Sequence, residues 1–365
     1  MQPGLGELVF RFPLMTGVSE ERSANQCVLG AGLDTSKPTR QTAAMSVQVI
    51  NPANGLPLRR EGDALIDQRG SRFPIVRGVP RLCDEANYAA NFGKQWNAFR
   101  LTQIDRSGDT FAPSEQRFFA ETGWQADQLA GQNLLEVGSG AGRFTRVVLQ
   151  RTRANLYSVD FSIAVEANLE TNRDLADGRL HLFQASIYDM PFPDGSFDKV
   201  FCLGVLQHTP SFERSVRILV EKTKPGGEIV VDFYPIRGWW TKFSAKYFLR
   251  PFTRRMAHER LLASIERNID WLITAHKGFT RSGLGALTRF LPIVDLRTLP
   301  PGLSPAEERE WALLDTFDIY SPEFDNPQRL DRVADMFRRN GADVTFAAFV
   351  DNGSSLAPVI RAIRR

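Results

Sequence analysis

Apolar and polar positions along this chain fall into blocks, and the rhythm of the blocks changes along its length. Between residues 127 and 233, short apolar runs at 134–137, 156–159, 180–183, 200–203 and 229–233 alternate with longer amphipathic stretches. The runs are rich in β-branched and aromatic residues and are bounded by turn residues, which predicts strands. The stretches 143–151, 163–175 and 211–222 have helical spacing. Strands alternating with helices predict an α/β fold, a doubly wound, mostly parallel sheet with helices on both faces. Asn326-Pro327 predicts the opening of a later helix, with Leu330, Val333, Ala334 and Phe337 turned inward and Asn340-Gly341 closing it. Runs at 344–350 and 356–363 predict two last strands, completing a seven-stranded sheet. They meet across Asp351-Asn352-Gly353-Ser354, where the Asn-Gly pair suits a tight hairpin.

The flanking blocks differ. Residues 45–86 predict a small β unit, with an apolar run at 47–50, short strands at 65–66 and 73–76 and turns at Asn54-Gly55 and 77–80. Residues 87–126 predict helices and loops rich in aromatics. There Phe92, Trp96 and Phe99 stand at i, i+4 and i+7, a stripe that by default packs inward. Residues 234–314 break the strand–helix rhythm, and Leu261, Ile265, Ile269 and Leu272 predict a helical insert before the core resumes over 315–365. Residues 1–44 have no sustained period and are rich in Gly, Ser, Thr and Gln, as a disordered tail would be. A start of translation at Met45 is the other reading of that stretch. Residues 1–12 lack the basic start and long apolar stretch of a signal peptide.

Composition narrows the class. Hydrophobic residues make up 42% and charged residues 24% of the 365, an ordinary soluble mixture. A net charge of +3 gives no electrostatic footprint for nucleic acid. Cys27, Cys83 and Cys202 are scattered and make no disulfide framework, so a reducing, cytoplasmic setting is expected. No apolar run approaches the roughly 18–20 residues of a membrane span. Oligomeric state leaves no mark on the pattern. The insert departs from the average, with ten Lys or Arg against three Asp or Glu over 237–281. Over 237–255, Trp239, Trp240, Phe243, Tyr247, Phe248 and Phe252 interleave with Lys242, Lys246, Arg250, Arg254 and Arg255. Two readings stay open: a lid whose aromatics pack on the core, or a peripheral contact with anionic lipid or a phosphorylated carrier.

The chemistry starts where the first strand ends. After Val137, glycines stand at 138, 140 and 142, with Ser139 between the first two and Glu136 two residues before the first. Glycine lets a backbone turn sharply and lets a ligand approach without a Cβ in the way. The dinucleotide fingerprint needs glycine at 143, and Arg143 stands there, so the nicotinamide register fails by one. Asp160 closes the second strand, where a carboxylate can accept from both hydroxyls of a ribose. Its alternative role is to cap the next helix beside Phe161-Ser162. Further on come 183–198, containing Ser186, Ile187 and Asp194-Gly195-Ser196-Phe197-Asp198, then 202–209, containing Leu203 and His208, and Lys224-Pro225-Gly226-Gly227 before strand five.

In this order, over about 130–233, the motifs resemble those of class I methyltransferases that use S-adenosylmethionine (SAM), of the type 11/UbiE-like group. The resemblance implies a Rossmann-like sheet and SAM as cofactor. It implies that Glu136 meets the methionine amino group, usually through water, and that Gly138, Ser139, Gly140 and Gly142 form the cofactor loop. Asp160 would hold the ribose, with Phe161, Ile187 and Leu203 beside the cofactor. Ser186 stands where the family usually has an aspartate that accepts from the adenine amino group. The segment Phe92-Gly93-Lys94-Gln95-Trp96 resembles one that closes over the cofactor, which makes Gln95 and Trp96 candidates. His208, after the fourth strand, is the candidate general base. Asp315, Asp318 and Tyr320 are candidates on the acceptor side. The implied function is methyl transfer to a small-molecule, glycan or lipid-linked acceptor. A non-catalytic SAM-fold scaffold or partner subunit and a NAD-dependent oxidoreductase are the alternatives. Amino-directed nucleic-acid methyltransferases carry Asn/Asp-Pro-Pro-aromatic after strand four, where this chain reads Cys202-Leu203-Gly204-Val205. Residues 58–63 and 73–80 resemble Trm112-like zinc-ribbon modules. Where those often carry two Cys-x-x-Cys pairs, this chain has Asn51-Pro52-Ala53-Asn54 and Asp67-Gln68-Arg69-Gly70, so no metal is expected.

Overall fold

The computed structural model describes residues 45–84, 87–105 and 112–365. The expectations for residues 1–44, and Cys27, lie outside the described residues. Residues 59–80 form an antiparallel sheet of β1 (Arg59–Glu61), β2 (Ala64–Ile66), β3 (Arg72–Val76) and β4 (Val79–Pro80). The apolar run 47–50 forms no strand of this sheet. Only Ile50 makes an isolated bridge, to Pro57. Val47 and Val49 are nonetheless buried, because they seat in the main core beside Tyr157, whose hydroxyl accepts the Val47 N–H at 2.9 Å.

The turns at 51–54 and 67–71 are joined by a carboxylate. Asp67 Oδ2 accepts from the amides of Asn51 (2.7 Å) and Asn54 (2.8 Å). Its Oδ1 accepts the backbone N–H groups of Arg69 (2.8 Å) and Ser71 (2.9 Å). One side chain thus ties the two turns together. Among the described residues, no cluster of His, Cys, Asp and Glu is placed to hold a metal ion.

The main domain follows as α1 (Ala90–Ala98), α2 (Pro113–Thr122), β5 (Asn133–Val137), α3 (Arg143–Arg151), β6 (Asn155–Asp160), α4 (Ala164–Asn172), β7 (Leu180–Gln184), β8 (Phe197–Cys202), α5 (Phe212–Lys222) and β9 (Thr223–Asp232). The insert supplies α6 (Ala245–Thr253), α7 (His258–Arg281) and α8 (Pro305–Tyr320). Then α9 (Leu330–Arg339), β10 (Ala342–Asp351) and β11 (Leu356–Arg364) close the sheet. Strand order is β10-β11-β9-β8-β5-β6-β7, with β5 to β9 parallel and β11 and β10 antiparallel. The order reverses between β5 and β8, and in such sheets ligands lie outside the carboxyl ends of the strands at that switch point. The central strands are buried on both faces, with Leu134, Leu135, Leu156 and Tyr157 inaccessible to solvent. A leucine truncated to alanine in such a place costs about 2–5 kcal/mol. The edge of β7 is covered rather than exposed. Leu82 donates its N–H to Gln184 O, and Arg81 reaches Gln184 Oε1 and Glu166 Oε1.

Three local expectations are corrected. The helix expected to open at Asn326-Pro327 opens at Leu330. Asn326 is held elsewhere, its N–H bonding Gln207 O and its amide bonding Thr209 O. The last two strands do pair antiparallel, but their turn is a four-residue loop at 352–355 rather than a two-residue hairpin. Asn352 is drawn aside there by Glu121, whose Oε1 accepts its amide at 2.8 Å. The insert also does not end at 314. α8 runs unbroken through Tyr320, and its Trp311, Ala312, Phe317 and Tyr320 pack on Leu261, Ile265, Ile269 and Leu272 of α7 in a separate small core. A capping box starts α8, with Ser304 and Glu307 each bonding the other's backbone.

Hydrogen bonding holds the Asp67 carboxyl below the usual carboxylate range, the Asn54 and Asn51 amides contributing most. The folded value lies below the unfolded one. The stabilisation is therefore complete above the ordinary value of 3.8 and is lost as pH falls below it. Asp67→Ala is expected to lower the Tm by several degrees at pH 7 and to narrow its gap to wild type as pH falls toward 3. Scanning calorimetry across that range checks this, and an unchanged Tm at pH 7 refutes the clasp.

Candidate active site

A cavity of about 540 Å³ opens at the switch point, at the carboxyl ends of β5, β6, β8 and β9. That is room for a cofactor-sized ligand, in the range of small-molecule sites. Its floor is the loop from β5 to α3. Gly140 has φ +52°, and a Cβ there would press on the Trp96 ring at 3.1 Å. Gly142 has φ +85° and lies against Asn168 and Asn172 of α4, where a Cβ would come within 2.3 Å of the Asn168 amide oxygen. The first contact lets α1 lie over the loop, and the second lets α3 lie close to α4.

Asp160 ends β6 at the cavity wall. Its Oδ2 accepts the Gly140 N–H at 2.9 Å, and its Oδ1 accepts both the N–H (2.8 Å) and the hydroxyl (2.7 Å) of Ser162. Asp160 thus caps the turn that follows it, with both lone pairs of Oδ1 engaged by Ser162, while Oδ2 keeps one lone pair for a further donor. Burial raises the Asp160 pKa, opposed by these bonds. Phe161, Ala185, Ile187 and Leu203 supply apolar wall, and Gly138 and Ser139 line the floor.

Two of the candidate residues stand back from the cavity wall. Glu136 is not among the lining residues. Strand alternation sends Val137 toward the cavity and Glu136 to the other face. There its Oε2 accepts from Thr145 (2.5 Å) and Ser158 (2.7 Å) beneath the loop, and burial pushes its carboxyl up to about 7. Ser186 also turns away, its hydroxyl accepting the Tyr188 N–H at 3.1 Å in a local turn. Its neighbours Ala185 and Ile187 face the cavity instead.

Gln95 and Trp96 both line the cavity, as does Phe92 on the same helix. Gln95 is 2% exposed, and neither its amide nitrogen nor its oxygen finds a partner among the described residues. Gln207, 1% exposed, is in the same condition, and so is the hydroxyl of buried Ser139. Buried polar atoms of this kind each cost about 1–3 kcal/mol without a partner. Four such side chains around one cavity, counting His208 below, are a docking surface for a polar ligand. Gln207 was legible only as the neighbour of His208.

His208 sits on a short turn after β8 between the rings of Phe92 and Tyr234. Its Nδ1 lies 3.1 Å from Phe324 O. A carbonyl only accepts, so Nδ1 carries the proton and Nε2 is left as a free acceptor. Nε2 has no hydrogen-bond partner among the described residues and lies 3.8 Å from Asp318 Oδ2. Burial lowers the His208 pKa, and Asp318 opposes that shift. Asp318 Oδ2 also accepts the Tyr234 hydroxyl at 2.9 Å. Along α8, Trp311, Asp315, Asp318 and Ile319 share one face toward the cavity. Burial, with Asp318 adding to it, pushes the Asp315 carboxyl up to about 7. Tyr320 lies in the small core of the insert and does not line the cavity. Lys246 of α6 also lines the cavity. It lies 4.4 Å from the Tyr234 ring centre and pairs with Asp325 at 2.7 Å. Tyr234 follows β9 at the carboxyl edge, and that position is the signal that could have found it.

Residues 135–231 match a family profile described as a methyltransferase domain. The chain is 28% identical over 236 residues to an uncharacterised protein of Synechococcus sp., covering 62% of this chain and 50% of that one. It is 30% identical over 110 residues to a ubiquinone/menaquinone biosynthesis C-methyltransferase of Vibrio cholerae, covering 28% of this chain and 40% of the relative. It is 28% identical over 127 residues to a sterol 24-C-methyltransferase of Kluyveromyces lactis, covering 34% of each. The chain thus spans half or less of the length of these relatives. Residues 135–231, which carry the glycine loop and Asp160 at the switch point of the seven-stranded sheet, thus match a methyltransferase domain.

Proposed function

We propose that this chain transfers a methyl group from SAM to a protic atom of a small-molecule, glycan or lipid-linked acceptor, with His208 as general base. The carrying observation is the unpartnered Nε2 of His208, which faces a cavity that Asp160 and the glycine loop also line. The residues fit the cofactor. Asp160 would accept from the ribose hydroxyls, Phe161 and Ile187 would flank the adenine, and Ser139 and Gln95 offer unpaired polar atoms to the rest. When bound, SAM supplies a methyl carbon already activated by its sulfonium.

The protein's own share is positioning, exclusion of water and one proton transfer. His208 Nε2 would take the proton that the acceptor releases. Phe324 O holds the ring in the tautomer that can take it. Asp318, 3.8 Å away, stabilises the imidazolium, and Tyr234 fixes the Asp318 carboxylate. Lys246, Asp315 and Trp311 line the same cavity on the side of the insert, so they would shape what is accepted. We also infer that the N-terminal module is a metal-free relative of Trm112-like modules, with Asp67 doing the joining that zinc does there.

Two outcomes are expected. In calorimetric titration with SAM, Asp160→Ala loses at least about tenfold in affinity, since each hydrogen bond to a charged acceptor contributes about 1.5–3 kcal/mol. Glu136→Gln keeps wild-type affinity within a few-fold, because that carboxyl is turned from the cavity. Equal losses in the two variants would overturn this assignment. Once an acceptor is found, His208→Asn lowers kcat by about 10²–10⁴. In the wild type, kcat/KM falls as pH drops through a midpoint below 6.5, the ordinary histidine value, because burial depresses the His208 pKa. An acid limb that survives in His208→Asn and vanishes in Asp315→Asn would transfer the role to Asp315.

A further inference from the structure

The insert turns one of its helices inside out. In α6, the cations Lys246 and Arg250 point inward, Lys246 to Asp325 and Arg250 to the carbonyls of Ile319 and Pro322. The apolar residues Phe248, Leu249 and Phe252 point outward, 51%, 38% and 69% exposed. An ordinary amphipathic helix does the reverse. The exposed apolar surface continues beyond the helix. Trp239 is 85% exposed and Trp240 46%, on the turn before α6. Phe243 packs against both Phe248 (5.4 Å) and Phe290 (5.5 Å), which joins α6 to the turn Gly285–Phe290, where Leu287 is exposed too. Arg289 donates to Trp240 O and so fastens the two turns together. Large contiguous apolar surfaces of this kind mark interaction sites rather than ordinary solvent-facing skin.

Charge selects the partner. Residues 237–256 contain six basic side chains and no acidic one. With Lys246 and Arg250 committed inward, exposed Lys242, Arg254 and Arg255 stand among the outward aromatics. Tryptophan and phenylalanine beside lysine and arginine, on a short helix lying along the surface, match the interface of an anionic bilayer, where rings sit at headgroup depth and cations meet phosphates. No helix among the described residues is long and apolar enough to cross a membrane. We infer that the face formed by Trp239, Trp240, Phe243, Phe248, Phe252 and Phe290 docks on the surface of an anionic lipid bilayer. Because Lys246 on the inner side of α6 lines the central cavity, docking sets that cavity close to the lipid. The inference does not depend on the methyl-transfer reading, since it concerns the outer face of α6 and is tested without cofactor or acceptor.

The test is flotation of the full chain with vesicles of phosphatidylcholine alone and of phosphatidylcholine mixed with phosphatidylglycerol. The wild type is expected to float with the mixed vesicles and far less with the neutral ones, and high salt should weaken the association. With Arg254→Glu/Arg255→Glu, partitioning falls at least about 30-fold, each lost cation near the surface being worth about fivefold. With Trp239→Ser/Phe248→Ser/Phe252→Ser, binding is lost, while the Tm stays at the wild-type value because these rings are exposed. Brominated lipid should quench wild-type tryptophan emission, and less so in Trp239→Ser. Failure of the wild type to bind either vesicle overturns the inference. So does sedimentation velocity showing a dimer that the triple serine variant abolishes, since the face would then be a contact between copies of the chain.

Discussion

The hydrogen bond from Gly140 N–H to Asp160 Oδ2 fixes how the two ends of the first βαβ unit meet. It holds the loop after β5 against the end of β6 at 2.9 Å, with Ser162 steadying the other carboxylate oxygen. Trp96 can then lie directly on Gly140, and α1 follows, packed so tightly on the next loop that a Cβ at Gly93 would fall 2.5 Å from Ile163. With α1 so placed, Gln95 and Phe92 reach the cavity, and Phe92 meets the His208 ring. A carboxylate that would serve the ribose also positions the helix that covers it. A preformed site of this kind spends little ordering entropy on binding.

Much of this was legible because it rests on backbone requirements. Glycines at 138, 140 and 142, a carboxylate closing the second strand and the regular spacing of five strands are consequences of chain geometry, and they appear in the sequence as fixed residue types at fixed intervals. Side-chain direction was not legible in the same way. Glu136 and Ser186 sit at the motif positions, yet the pleat turns Glu136 under the loop, and a local turn captures the Ser186 hydroxyl. A motif fixes where a Cα lies. Which face its side chain takes depends on partners such as Thr145 and Ser158 that lie outside the motif. Tertiary competition also explains the shifted ends: Asn326 and Asn352 carry good turn chemistry, but Gln207, Thr209 and Glu121 claim them.

Of the two readings open for the insert, the lid with its rings on the core fails at α6 for a related reason. Interleaved aromatics and cations predict a helix with its rings inward and its charges in water. The structure reverses this because the C-terminal carbonyls of α8 and the buried Asp325 need cations, and α6 supplies them through Arg250 and Lys246. Orphan carbonyls at a helix end are satisfied in this way when basic side chains lie near. With both cations drawn inward, the rings have no inner face left to occupy. The exposed aromatic surface is thus a consequence of how α6 is anchored.

This anchoring also explains why one side of the cavity is built by the insert. His208 and Tyr234 come from the sheet edge, where any domain of this topology has its loops, whereas Asp315, Asp318, Trp311 and Lys246 come from α8 and α6. Burying several ionisable groups together carries a desolvation penalty, visible in the raised carboxyl of Asp315 and the lowered pKa of Lys246. A lid needed only to exclude water would be more stable with apolar residues in those places. On the proposed function, their presence despite that penalty argues that the insert would read the acceptor by charge and hydrogen bonding, while the sheet edge would supply the base and the cofactor floor. On that division, exchanging the insert would change which acceptor enters and leave the chemistry at His208 in place.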